Sequence, residues 1–270
     1  MGFLDIAQTP LAPGVSPARI HYREAGRGSP IVILHGGWGY DMYPFDRQIA
    51  ALAPQHRLVV PDRTGYGRSM SIDALPADFH RRAADETSAV VDALRLERPA
   101  LWGHSDGAII ALRLALAMPD RVSAVIAEAS HYFRRKPRSR RFFASVIANP
   151  ASTEIMRLHA RAWLQIGDDA ASDSDDFYDG RLSEIAVPVL IVHGARDPRT
   201  EPGEIEAIAS AISAAAGGAS SAPIRTGVGA EIARPVRVEV LPAAGHSPHS
   251  ENATADAVTR LAEQLIDARA

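Results

Sequence analysis

The stretch ALWGHSDGAIIALRLALA, residues 100–117, decides how the rest of the chain is read. Ala100–Trp102 is apolar on consecutive positions, as expected of a strand covered on both faces. Asp106–Met118 is apolar nearly all round, broken only by Arg113, and predicts a helix buried on most sides. Between them, Gly103-His104-Ser105-Asp106-Gly107 predicts a sharp strand-to-helix turn. Glycine two residues to either side of Ser105 lets strand and helix approach without side-chain clash, and the turn holds the Ser105 hydroxyl out as a nucleophile. A lone G-x-S-x-G is a weak signal, so its surroundings must decide.

Working outward, the same strand-like character recurs at Ile31–Leu34, Arg57–Val60, Val122–Ala127, Val187–Val192 and Val236–Leu241. Arg19–Arg23 alternates better and predicts an antiparallel edge strand. Helix signatures lie between these runs. Ala83, Thr87, Val90, Val91 and Leu94 share a face; so do Ile205, Ile208 and Ile212, after the helix-start residues Thr200 and Pro202. Val258, Leu261 and Leu265 mark a terminal helix. This alternation predicts a three-layer α/β domain.

From His131 to Leu182 the rhythm breaks. That stretch predicts a mostly helical insertion over one end of the sheet, so the core comprises residues 1–130 and 183–270 and the insertion residues 131–182. It holds a basic run, Arg134 to Arg141, and an acidic one, Asp168 to Asp179, read as solvated faces that pair with each other. Gly217–Ala230, rich in Gly, Ser and Ala, reads as a surface loop.

The whole chain bounds the function. It has 270 residues, 46% of them hydrophobic and 23% charged, which is ordinary globular composition. Its formal charge of -3 lacks the basic footprint of a nucleic-acid binder. No cysteine is present, which excludes disulfides, thiolate metal sites and thiol catalysis. No secretory signal stands in Met1–Pro17, and no apolar run reaches the ~18 residues of a membrane span. A cytoplasmic setting without membrane contact is the expectation; oligomeric state is not legible.

The surroundings of Ser105 favour chemistry. Serine needs a base to take its proton, and the base needs an anion to fix its tautomer. Asp197 follows the strand Val187–Val192, in HGARDP at 193–198. His246 follows Val236–Leu241, in GHSPH at 245–249. All three lie beyond the carboxyl ends of strands, where parallel sheets gather their sites. The order Ser, Asp, His is that of the α/β hydrolases. A glycine-rich turn, HGGWG at 35–39, follows Ile31–Leu34 and offers backbone N–H for an oxyanion, from Gly37 first and Trp38 second, with Asp106 N–H as the other donor.

The chain thus resembles the α/β-hydrolase-fold superfamily, in its serine-nucleophile, esterase-like branch. The matching motifs are HGGWG at 35–39, DRTGYGRS at 62–69, GHSDG at 103–107, GARD at 194–197 and GH at 245–246, spread from Arg19 onward. The resemblance implies a mostly parallel eight-stranded sheet with a helical cap after the sixth strand. It also implies cofactor-free hydrolysis of small-molecule esters, thioesters, lactones, amides or carbon–carbon bonds. Serine at 105 disfavours the aspartate-dependent haloalkane dehalogenase and epoxide hydrolase branches.

Plainer readings stand beside these. Ser105 also suits a helix N-cap, and Asp197 a turn before Pro198. Asp62, Asp106 and Glu128 rival Asp197 as the acid, and His249 rivals His246. His35 and His104 read as turn-holding residues that bond backbone. The Asp106 carboxylate either faces the pocket, favouring a cationic substrate, or pairs toward solvent. Trp38, Tyr132, Phe133 and Trp163 are candidate substrate contacts, as are other cap aromatics such as Phe142. Metal sites fail on spacing: Asp173–Gly180 has Tyr178 where a calcium loop needs glycine, and residues 246–249 lack the HExxH pattern. No dinucleotide fingerprint is present. The expected activity is acyl hydrolysis of small carboxylic esters; carbon–carbon-bond hydrolysis, lactone hydrolysis and non-catalytic ligand binding are the alternatives.

Overall fold

The computed structural model describes residues 1–168, 175–214 and 236–268. The eight strands are β1 (Gly2–Ile6), β2 (Ala18–Ala25), β3 (Ser29–Leu34), β4 (His56–Pro61), β5 (Ala100–His104), β6 (Ala124–Glu128), β7 (Val189–Gly194) and β8 (Val236–Leu241). They form one sheet in the order β1-β2-β4-β3-β5-β6-β7-β8. β2 runs antiparallel to both neighbours, and β3 to β8 are parallel. The α/β class is as the strand–helix alternation predicts, and the mostly parallel eight-stranded sheet is as the family resemblance implies.

The seven described helices are α1 (Asp46–Leu52), α2 (Phe79–Ala93), α3 (Asp106–Ala117), α4 (Pro137–Ala148), α5 (Glu154–Asp168), α6 (Glu204–Ser213) and α7 (Ala255–Asp267). Consecutive apolar residues in the strands feed two cores. Ile31 and Ile33 join Leu52 of α1 and Val258, Leu261 and Leu265 of α7. Val32 and Leu34 join Phe79 and Val91 of α2, Ile109 and Leu112 of α3, and Ile205 and Ile208 of α6. Burying a side chain of this size contributes roughly 1.5–3 kcal/mol, which is why both faces of the sheet remain covered.

Several boundaries differ from the sequence reading. Arg19–Arg23 lies in an antiparallel strand, but not at the edge: β1 pairs outside it, Gly2 opposite Tyr22 through Ile6 opposite Ala18. β7 begins at Val189 rather than Val187, because Pro188 has no N–H to give the ladder. α6 starts at Glu204, after Gly203 at φ 83°, and Thr200 and Pro202 belong to the turn before it. The acidic positions Asp169 and Asp173 and the loop Gly217–Ala230 lie outside the described residues. No described helix is long and apolar enough to cross a membrane.

Around Ser105 the backbone is tight. A Cβ on Gly103 would run into the Gly107 carbonyl, and one on Gly107 into the Leu34 and His35 carbonyls. Strand β5, helix α3 and the end of β3 therefore meet through backbone alone. Gly107→Ala should destabilise the protein by about 3 kcal/mol, the upper range for overpacking a filled site. Urea unfolding checks it; an unchanged midpoint would mean that this close approach does not hold the turn.

Candidate active site

Ser105 has φ 55° and ψ −118°, a conformation few non-glycine residues adopt. Such strain costs of order 1–3 kcal/mol and persists only where the surroundings impose it. The glycine contacts just described impose it, together with the Ser105 N–H bond to the Glu128 carbonyl at 2.8 Å. The turn brings Ser105 Oγ to 3.1 Å from His246 Nε2. On the other side of the ring, His246 Nδ1 donates to Asp197 Oδ2 at 2.8 Å. That bond fixes the tautomer and leaves Nε2 to accept the Ser105 hydroxyl. Asp197 also accepts the Arg199 N–H at 2.8 Å and the Thr200 hydroxyl at 3.0 Å. Burial alone would raise its carboxyl, but the His246 bond and charge and the Arg199 N–H hold it well below the usual carboxylate range.

The rival residues form their own set. Glu128 accepts both the ring and the backbone N–H of His249, at 2.7 and 2.9 Å, and the Trp102 indole at 3.3 Å. His249 lies flat on Phe45, ring centroids 3.7 Å apart. His104 Nε2 bonds the His246 carbonyl at 2.9 Å and Ser247 Oγ at 3.1 Å, bracing the loop that carries His246. Among the described residues, His104, Glu128 and His249 gather ligand-type atoms within 4.8 Å of one another. Their bonds already engage the His249 nitrogens and the Glu128 oxygens, so the set works as a brace and offers a metal little. Asp62 is spent on His21, Arg23 and the Arg68 N–H. His35 donates to the Gly36 carbonyl at 2.7 Å and accepts the Arg63 N–H at 3.1 Å, the backbone-holding part predicted for it.

The structure corrects the reading of Asp106. Its carboxylate faces neither the cleft nor solvent: it is buried and accepts His80 Nε2 at 2.7 Å, His159 Nε2 at 2.6 Å and Trp163 Nε1 at 3.1 Å. One anion thereby ties α2 and α5 to the start of α3. Burial opposes its charge, yet His159 and His80 hold it well below the usual range. His80 and His159 carry no local sequence signal beyond the i, i+4 spacing of His159 and Trp163 on α5. Lys136, which its basic neighbours place in a solvated run, is instead buried, paired with Glu204 Oε2 and 2.9 Å from His131 Nδ1. Arg140 fits that reading, meeting both Asp168 oxygens at 2.6 and 3.0 Å on the surface.

A cleft of about 440 Å³, counting its open mouth, lies over Ser105 and His246. Gly37 and Trp38 line one side; Lys136, Ser139, Phe143, His159 and Trp163 bring α4, its approach and α5 to the other. Gly37 must be glycine, since a Cβ there would collide with His159 and Asp106. No hydrogen bond among the described residues engages the N–H of Gly37, Trp38 or Asp106. Of the aromatic candidates, Trp38, Trp163 and the cap residue Phe143 reach the cleft wall. Tyr132 and Phe133 do not: they pack on each other at 5.2 Å, and their N–H groups go to Glu204.

The alpha/beta hydrolase family model matches residues 31–260. A pimeloyl-[acyl-carrier protein] methyl ester esterase of Pectobacterium carotovorum is 34% identical over 113 residues, 42% of this chain and 42% of that protein. A 2-hydroxy-6-oxo-6-phenylhexa-2,4-dienoate hydrolase of Burkholderia cepacia is 34% identical over 124 residues, 42% of this chain and 40% of that one. The match thus spans about two-fifths of the length of these curated relatives. Among solved structures, a dienoate hydrolase from Rhodococcus sp. strain RHA1 superposes with a TM-score of 0.72 at 17% identity, over 98% of this chain and 99% of the other. That likeness concerns the fold.

Burial sets a pH dependence. It lowers His35 and His104 to about 3 and His80 to about 4, against some help from nearby acids. These groups are neutral when folded and take up protons near 6.5 when unfolded, so between pH 6.5 and 4 the unfolded chain binds more protons. Stability is full above pH 6.5 and falls on acidification by about 1.4 kcal/mol per pH unit for each histidine. Urea midpoints measured from pH 7.5 to 4.5 check this; a flat profile would show that these imidazoles are not buried neutral.

Proposed function

Because this chain belongs to the alpha/beta hydrolase family, we propose that it is a serine hydrolase of small carboxylic esters or closely related acyl compounds. One observation carries the reading: the unbroken relay from Ser105 Oγ through His246 to an ionised Asp197 whose side chain is inaccessible, opening on a cleft. His246 Nε2 takes the Ser105 proton as Oγ attacks the substrate carbonyl, and Asp197 stabilises the imidazolium. The backbone N–H groups of Asp106 and of Gly37 or Trp38 receive the oxyanion. His246 then returns the proton to the leaving alcohol, which departs and leaves an acyl-Ser105. Water, deprotonated by His246, attacks that ester; the acid leaves and Ser105 regains its hydrogen.

In this reading residues 131–182 form the cap and residues 1–130 and 183–270 the hydrolase core. The walls that α4 and α5 contribute to the cleft support that division, and the Asp106 contacts act as the clamp fastening the cap over Ser105. Of the substrate contacts predicted from sequence, Trp38 and Trp163 are kept.

Ser105→Ala should lower kcat on aryl and alkyl esters by on the order of 10³-fold or more. Asp197→Asn should lower it by up to ~10⁴-fold by favouring the wrong His246 tautomer, with KM little changed. Steady-state kinetics on a short ester series check both. Ester turnover undiminished in Ser105→Ala would defeat the assignment.

A further inference from the structure

The cleft over Ser105 is charged in one sense. Its described wall holds two cationic side chains, Lys136 and Arg199, and four imidazoles, with no carboxylate among them. The nearby acids are turned to other work. Asp106 serves His80, His159 and Trp163. Asp197 serves His246 and Thr200. Glu204 serves Lys136 and three backbone N–H groups. Lys136 is therefore neutralised where it stands.

Arg199 is different. Among the described residues its guanidinium has no hydrogen bond and no ion pair; its Cζ stands 3.1 Å from the ring centroid of Phe142. A cation–π contact steadies a cation without cancelling its charge. The residue is also held at both ends of its peptide, its N–H on Asp197 and its carbonyl accepting Ser139 Oγ at 3.4 Å. Guanidinium keeps its proton under all ordinary conditions and presents a planar fork of donors that matches a carboxylate. Arg199 is one of the residues lining the cleft over Ser105, two residues along the chain from the acid that orients His246.

We propose that Arg199 is an anion-binding subsite of the acyl pocket, and that the substrates are acyl compounds bearing a second, free carboxylate that pairs with Arg199 while the scissile carbonyl lies at Ser105. The proposal rests on the serine-hydrolase reading of the same cleft. One cation with no ion-pair partner among the described residues suits a monoanionic carboxylate better than a phosphate dianion. The charge preference is the reverse of the cationic one considered for Asp106.

Calorimetric binding to Ser105→Ala tests it without requiring chemistry. The ligands are monomethyl succinate, glutarate and adipate, each set against the methyl ester whose carboxylate is replaced by an isopropyl group. At least one anionic ester should bind about tenfold or more tightly than its neutral partner, the scale of one charge-assisted pair. Arg199→Gln in the same background should erase the difference, and Arg199→Lys should keep part of it. In the enzyme with Ser105 intact, Arg199→Gln should lower the anionic-to-neutral ratio of kcat/KM through KM. Equal affinities within every pair would overturn the subsite, as would an anion preference that survives Arg199→Gln, or inorganic phosphate binding through Arg199 more tightly than any monoester. Unselective binding by an active esterase defeats the subsite alone, whereas selective binding by a protein that hydrolyses no ester upholds the subsite and defeats the hydrolase reading.

Discussion

The close approach of β5, α3 and the end of β3 is the constraint on which the site depends. Gly103 and Gly107 have no side chains to keep these segments apart, so the chain must reverse within one residue, and Ser105 takes the strained φ of 55°. Strain of this kind is held by the rest of the fold. It raises one hydroxyl beyond the sheet, at the same rim to which β7 and β8 deliver Asp197 and His246. Parallel strands covered on both faces make that rim the place where loops from different parts of the chain meet. The 3.1 Å and 2.8 Å contacts of His246 follow from that convergence.

A second layer of histidine–carboxylate pairs supports the first. Glu128 with His249 braces the chain beside the His246 loop, and Asp106 with His80 and His159 ties α2 and α5 to the Ser105 turn. Each of these two buried anions is matched by donors, the condition under which such a charge is tolerated at all. The consequence for the cleft is electrostatic. Asp106, Asp197 and Glu204 are engaged inside the protein, and the charged side chains among the cleft-lining residues are Lys136 and Arg199.

Much of this was legible in the sequence, and what escaped did so for physical reasons. Strands buried on two faces announce themselves as unbroken apolar runs, and the positions of Ser105, Asp197 and His246 after three of them anticipated their convergence at one rim. β1 escaped because Gly2–Ile6 is five residues long with one buried position, too short to carry a pattern. The fate of Asp106 escaped because His80 and His159 stand 26 and 53 residues away, and pairing at such distances leaves no periodicity. Lys136 looked like its basic neighbours; only the burial of Glu204, at the first turn of a helix in another part of the chain, sets it apart. Tyr132 and Phe133 were aromatic and in the right segment, yet Glu204 draws their backbone away from the cleft.

The account turns on whether Ser105 becomes covalently attached to the acyl group. Acid-quenched reaction with an aryl acetate, followed by intact-mass and peptide mass spectrometry, measures this directly. The account predicts one acetyl group per chain, carried on the peptide containing Ser105 and accumulating with a burst of one equivalent of phenol. Hydrolysis with no acyl-protein at any time, or an acetyl group on a residue other than Ser105, would contradict it.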